Sequence, residues 1–469
     1  MSSVSIKNTL YTWCPHPLRC YWDRVENSEL NTRLARGAFW SLVGTAISRP
    51  LMLAASIFVA RLLGKEVFGE FGIIRGTIET FGTFAGLSLG LTATKHVAEF
   101  RTRDPGRAGR ILVLSNLTAV GVGSALGLAL VVVAPWFAAG ALNAPHLRGS
   151  LCTGSLLLLL YALTGAQTGA LSGFEAFRTV ARVNLCVGLV AFPLLIAGAY
   201  VGGLEGAVWG MTVALGVHAI LNHFALRAEA SRAAVPLRIT GCMREWSVLW
   251  QFSLPAVITS GVTLLGTWLC PLLLVQQPDG YREMGVFSAA SYWFLALACL
   301  PNVLGRVATP MLAERHSVAD HAGSRKIFRL TVAINVTATL PIVVVASLAS
   351  PWIVLLYGRE FARDWPTFVV ILLCAAALAV IKPAERVITA HGRMWTLLLL
   401  YTGLAVFTLL FTLWLIGSGA FGMALARLIA YAIHVALINL VAMYVLRTDW
   451  RLGGWIPRFL ERATRFASR

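Results

Sequence analysis

Apolar and polar positions in this chain alternate in long blocks, not at short period. Runs of predominantly apolar residues, each about 20 residues or longer, can be read twelve times. Their limits are 38–62, 71–97, 111–134, 151–172, 183–201 and 207–226 in the first half. In the second half they are 248–275, 285–312, 330–350, 367–390, 396–416 and 420–446. At 1.5 Å rise per residue each run is long enough, as an α-helix, to cross a ~30 Å hydrocarbon layer. The prediction is an all-α polytopic membrane protein with about 12 transmembrane helices.

The polar connections orient the bundle. One side carries 27 Lys and Arg, in the N-terminal segment, 101–110, 178–182, 227–244, 315–329, 386–393 and the C-terminal tail. The opposite side carries 6: Arg61, Lys65, Arg148, Arg282, Arg359 and Arg363. By the positive-inside rule both termini are cytoplasmic. Trp136, Trp352 and Trp365 fall near the outer boundaries, where interfacial tryptophans belong. The expected division is a cytoplasmic N-terminal segment 1–36, an N-lobe 37–226, a cytoplasmic linker 227–247, a C-lobe 248–446 and a basic cytoplasmic tail 447–469.

The two lobes repeat one another. GKEVFGEFG at 64–72 matches GYREMGVFS at 280–288 in Gly, four residues, Gly, one residue, Phe, at an offset of 216. Nearly the same offset relates ATKHVAE at 93–99 to ATPMLAE at 308–314 and Pro135-Trp136 to Pro351-Trp352. It also relates GMTVA at 210–214 to GMALA at 422–426, and His218 to His434. Two six-span halves of equal topology imply a parallel pseudo-twofold repeat about an axis along the membrane normal. In such transporters the substrate site lies near mid-membrane between the lobes, which rock against each other.

Composition narrows the class. With 57% hydrophobic and 13% charged residues, a soluble domain is excluded. The net charge of +18 is spread thinly between apolar segments, with no basic stripe, so no nucleic-acid partner is expected. The first 36 residues lack an apolar core of the signal-peptide kind. Of 8 cysteines only Cys14 and Cys20, around His16, are paired locally; without a second ligand pair, no metal and no cofactor are expected. Walker A and H-E-x-x-H signatures are absent and the outward loops are short, which argues against an enzyme.

Charges inside the spans are the candidate chemistry. Arg49 lies roughly 20 Å from either edge of the first span, too deep to snorkel, and a lipid-facing arginine there costs at least ~2.5–3.5 kcal/mol. It should face a polar cavity, with Pro50 kinking the helix beside it. Arg75 is only ~6 Å inside the outer end of the second span, where snorkelling and cavity lining are both open. Glu79 is on the same helical face, either neutralising Arg75 or taking up a coupling proton. Arg427 is ~10 Å inside the last span. Lys382, Glu385 and Arg386, like Lys95 and Arg306, stand near cytoplasmic ends, either anchoring or binding. Cations outnumber acids inside the spans six to two, a sign that suits an anion, and guanidinium grips phosphate oxygens bidentately. Gln167, Asn184 and Gln251 could face cavity or neighbouring helix.

These residues resemble a known family. VARLLGKEVFGEFGIIRG at 59–76, with Gly64, Phe68, Gly69 and Phe71, resembles the region joining the first two helices of bacterial polysaccharide flippases. Those are the O-antigen (Wzx-type) transporters of the MATE-related MOP superfamily. GFEAFRTVARVN at 173–184, LYGREF at 356–361 and HGRMWTLLLLYTG at 391–403 resemble further segments of that family, and the likeness spans roughly residues 33 to 446. The resemblance implies a V-shaped pair of lobes in the bacterial inner membrane. It implies flipping of an oligosaccharide linked to undecaprenyl-type pyrophosphate into the periplasmic leaflet, with membrane lipids and the glycan polymerase and assembly machinery as partners. Arg75 matches an arginine in the second helix of related lipid-linked-precursor flippases, where it faces the cavity; with it Arg49, Arg306, Lys382 and Arg427 are the candidate cavity cations, and Glu79 the candidate for coupling if it does not simply neutralise Arg75. Position 291, the repeat-mate of Arg75, is serine, so the cationic ring is asymmetric. The alternatives are a multidrug antiporter of the same fold, which would want acidic residues at mid-membrane, and a membrane-embedded glycan polymerase or glycosyltransferase.

Overall fold

The computed structural model describes residues 29–237, 240–246, 254–317 and 321–447. Within these the chain is a bundle of helices. They are α1 (Glu29–Phe100), α2 (Pro105–Trp136), α3 (Arg148–Gly173), α4 (Phe177–Arg232), α5 (Leu254–Val275) and α6 (Gly280–Ser317). There follow α7 (His321–Leu348), the short α8 (Ser350–Tyr357), α9 (Trp365–Ala390), α10 (Met394–Leu415) and α11 (Gly419–Arg447). The expectations for Cys14, His16, Cys20, Gln251 and the basic tail lie outside the described residues.

Seven helical stretches among the described residues are long and apolar enough to cross a membrane. Phe177–Arg232, at 56 residues, and Met394–Arg447, at 54, exceed what one crossing needs. The first folds back on itself at Gly202 and Gly203, where φ at Gly203 is 56°. Its two arms then touch so closely that a Cβ on Gly198 would overlap the Gly206 carbonyl. The other double-length stretch is interrupted at Ile416–Ser418 and Gly419, where φ is 61°.

One departure from the hydropathy reading concerns residues 63–70, expected as a connecting loop. They are helical except at Gly64 (φ 79°, ψ 171°), which breaks α1 by itself. That backbone conformation costs glycine nothing and an L-residue much, so a single residue does the work of a loop. Lys65 to Glu70 are thereby free to pack as a helical turn, which they do. The eight-residue α8 and the π-helical turn Phe137–Ala141 were likewise not legible from hydropathy.

Small residues set the helix spacing. Gly86 and Gly90 on α1 meet Gly165 and Gly169 on α3 backbone to backbone. In the first half α1 packs on α2, α3 and α4; in the second α9 packs on α6, α7 and α11, and α10 on α5 and α11. The halves meet through α1 against α5 and α6. Large side chains turned outward, among them Leu128, Val132, Trp136, Tyr200, Trp352, Leu399 and Trp414, suit a hydrocarbon surround.

The sequence repeat reappears as geometry. Gly69 and Gly285 are repeat-mates, and α1 crosses α6 at these two residues. A Cβ on Gly69 would overlap the Tyr281 carbonyl, and one on Gly285 would overlap the Lys65 carbonyl; Lys65 and Tyr281 are themselves repeat-mates. The contact is thus its own pseudo-twofold image. After α4, Pro236 and Glu245 pack on α2: Gly109 abuts the Pro236 carbonyl, and Glu245 is clamped by Arg107 at 3.0 Å and Arg110 at 3.1 Å.

Candidate functional site between the two halves

Beside the crossing the two halves line an open cavity of about 200 Å³. Arg75, Gly76 and Glu79 of α1 face Ser288, Ser291 and Tyr292 of α6 across it. A smaller neighbouring cleft is lined by Arg49, Met52, Arg75, Tyr292 and Leu295, so Arg49 and Arg75 converge on one region. Proline at position 50 and the break at Gly64 let the two arms of α1 bring both guanidinium groups there.

Arg75 is held on three sides. Its Nε donates to Glu79 Oε1 at 2.5 Å, one helical turn on. Its Nη1 donates to the Tyr292 hydroxyl of the opposite half, and the guanidinium carbon stands 4.6 Å from the centre of that ring. The Glu79 carboxylate in turn accepts from the Tyr161 hydroxyl of α3 at 3.2 Å. Trp268 of α5 donates to Thr77 at 3.0 Å, a second bond between the halves at this level. Arg49 has no ion-pair partner among the described residues. Among the described residues, two guanidinium groups against one carboxylate leave the lining of this region positive.

The remaining predicted residues are placed elsewhere. The Arg427 guanidinium lies 5.1 Å from the Phe294 ring, 5.5 Å from Phe287 and 6.0 Å from Tyr431; of these four residues only Phe287 lines the cavity. Lys382 is bonded to Glu385 at 2.7 Å, and Glu385 also accepts from Tyr401 at 2.6 Å. Tyr401 packs against His434 with ring centres 5.2 Å apart. The Arg306 side chain lies outside the described residues. Gln167 is buried in α3. Phe68 and Phe71 of the motif line the cavity together with Gly72 and Arg75, whereas Gly64 and Gly69 are not part of its lining.

Sequence reading missed Tyr292, Tyr161 and Trp268. An aromatic in an apolar run carries no mark, yet Tyr292 is the repeat-mate of Gly76 and adjoins the serine that stands opposite Arg75. The offset of 216 was the signal that could have found it.

Comparison with known proteins agrees with this architecture. Residues 34–316 match the polysaccharide biosynthesis protein family. The EPS I polysaccharide export inner membrane protein EpsE of Ralstonia nicotianae is 25% identical over 364 residues, 75% of this chain and 80% of that one. The EpsE of Ralstonia solanacearum is 24% identical over the same extent. Among solved structures, an inward-facing multidrug resistance MATE family transporter of the MOP superfamily superposes with a TM-score of 0.68 at 13% identity, over 87% of this chain and all of that one. A MOP superfamily transporter from Pyrococcus furiosus, described as having a binding pocket of reverse polarity, superposes at 0.64 and 12% identity, over 89% of this chain and 96% of that one. The fold is that of the MATE transporters, and the chain belongs to the polysaccharide biosynthesis protein family.

Proposed function

We propose that this member of the polysaccharide biosynthesis family is a flippase for a glycan precursor. The cargo is an oligosaccharide on an isoprenoid pyrophosphate, carried from the cytoplasmic to the periplasmic leaflet of a bacterial inner membrane. The observation that carries the reading is the convergence of Arg49 and Arg75 on one region between the halves, where Glu79 is the one carboxylate among the described lining residues. A guanidinium fork suits the pyrophosphate, and the apolar outer faces of the bundle suit the lipid tail. The export role in the EpsE name supports the glycan, and the MATE fold supports transport over catalysis. Twelve crossings, two six-helix lobes and cytoplasmic termini complete the proposal, with glycan polymerase and assembly proteins as recipients. Glu79, bonded to both Arg75 and Tyr161, is its candidate for proton coupling.

The multidrug relatives of the same fold give the rival reading. A cationic drug would need a lining of opposite sign. The decisive experiment removes the protein from its host and follows lipid-linked oligosaccharide by leaflet. Accumulation on the cytoplasmic side with loss of surface glycan is the expected result. Unchanged glycan together with lost efflux of fluorescent cations would replace the flippase by the drug antiporter.

A further inference from the structure

GKEVFGEFG, its repeat GYREMGVFS and LYGREF were marked by sequence, and the flippase reading gives them no role beyond the part of the cavity wall supplied by the first two. The fold brings all three to one place. Lys65 Nζ bonds Asp364 at 2.8 Å, and the Lys65 amide donates to Glu360 at 3.3 Å. The same ammonium lies 5.8 Å from the Phe361 ring. Phe68 packs on Tyr357 and on Tyr292, each with ring centres 6.4 Å apart, and the Tyr357 hydroxyl is 3.2 Å from Ser56. With the Gly69–Gly285 crossing, these contacts close the end of the bundle that the charge distribution assigns to the periplasm.

Tyr292 belongs to this closure and to the cavity at once. Its ring is stacked on Phe68, and its hydroxyl is the acceptor for Arg75 Nη1. Arg75 lies six residues, about 9 Å, further in than Gly69. Glu79 already occupies Nε, so a bidentate anion has only the terminal Nη1/Nη2 edge. Reaching it sets the anion against the Tyr292 oxygen at Nη1. We propose that Tyr292 is a positioning residue that holds the crossing shut while Arg75 is empty and is released when an anion takes the guanidinium. The proposal takes from the flippase reading only the identity of that anion, a lipid pyrophosphate.

A cross-link reads the closure directly. A Cβ on Gly72 would stand 3.0 Å from Ser288 Cβ, within a small relaxation of the ~3.5–4.5 Å of a disulfide. The full-length protein with Gly72→Cys and Ser288→Cys, purified and oxidised, reports the closed population by its rate of cross-linking, with each single-cysteine variant as baseline. Tyr292→Phe keeps the ring and removes only the hydroxyl; it is expected to lower the closed-to-open ratio about tenfold, the worth of a hydrogen bond to a charged group. Arg75→Ala should do the same, and the double variant should add nothing further. Cross-linking of Tyr292→Phe at the parental rate, or additive losses in the double variant, would overturn the proposal. Farnesyl pyrophosphate, bound by the parent, should slow its cross-linking and leave that of Tyr292→Phe unaltered; a Tyr292→Phe protein that binds it and still slows overturns the coupling. If the parent binds none, the headgroup reading fails while the ligand-free rates still decide Tyr292.

Discussion

At Arg49 a charge meets the cavity with no ion-pair partner among the described residues, while Arg75 shares its donors with Glu79 and Tyr292. The unshared fork is the one free to grip two oxygens of an entering anion. Arg49→Ala is therefore expected to reduce transport roughly 10- to 100-fold, matching the ~1.5–3 kcal/mol of charged hydrogen bonds, while membrane levels stay normal. Arg49→Lys should recover only part, since an ammonium supplies charge without the fork. Flipping measured on equal amounts of membrane protein tests both, and full activity of Arg49→Ala would remove the residue from the site. Arg49, Arg75 and Glu79 stand out in the sequence because a charge inside an apolar run is costly and thus conspicuous. Tyr292 and Tyr161 escape notice because an aromatic in such a run costs nothing. Half of the Arg75 environment is accordingly invisible before the helices are packed.

Among the described helices, the α1–α6 crossing leaves no room for a larger residue at either glycine. Valine at Gly69 meets the Tyr281 carbonyl, and valine at Gly285 meets that of Lys65, so backbone must give way in either case. Because the contact is its own pseudo-twofold image, Gly69→Val and Gly285→Val should impair transport to a similar degree and lower the melting temperature alike. Gly121, which has open space around it, is the control, and Gly121→Val should leave both unchanged. Strongly unequal effects at 69 and 285 would count against the symmetric crossing. The glycines of this contact were legible as a repeat at an offset of 216, and the helical nature of 63–70 was not. Hydropathy locates what the bilayer demands of a segment, and says nothing of a polar turn that stays helical because one glycine absorbs the break.

On the scale of the whole molecule, the bonds between the halves gather at the Gly64 end, and the Lys65–Asp364 pair lies at its rim with side chains 10% and 19% exposed. A pair so sheltered is sensitive to loss of one partner, because the other is left charged in a poorly solvated site. Lys65→Glu would set a carboxylate against Asp364 and next to Glu360, and Asp364→Lys would set two ammonium groups together. Each single reversal should hold this end apart and lower transport about tenfold, corresponding to ~1.4 kcal/mol of lost closure. The exchange Lys65→Glu with Asp364→Lys restores opposite signs across the same gap and should return most of the activity. A merely stabilising pair would behave differently: the singles would lose protein from the membrane, yet what remained would transport at the parental rate per molecule. Transport normalised to folded protein separates the two cases. Recovery in the exchange, paired with loss in both singles, would make the meeting of residues 64–72 with 356–364 a moving part of the transport cycle.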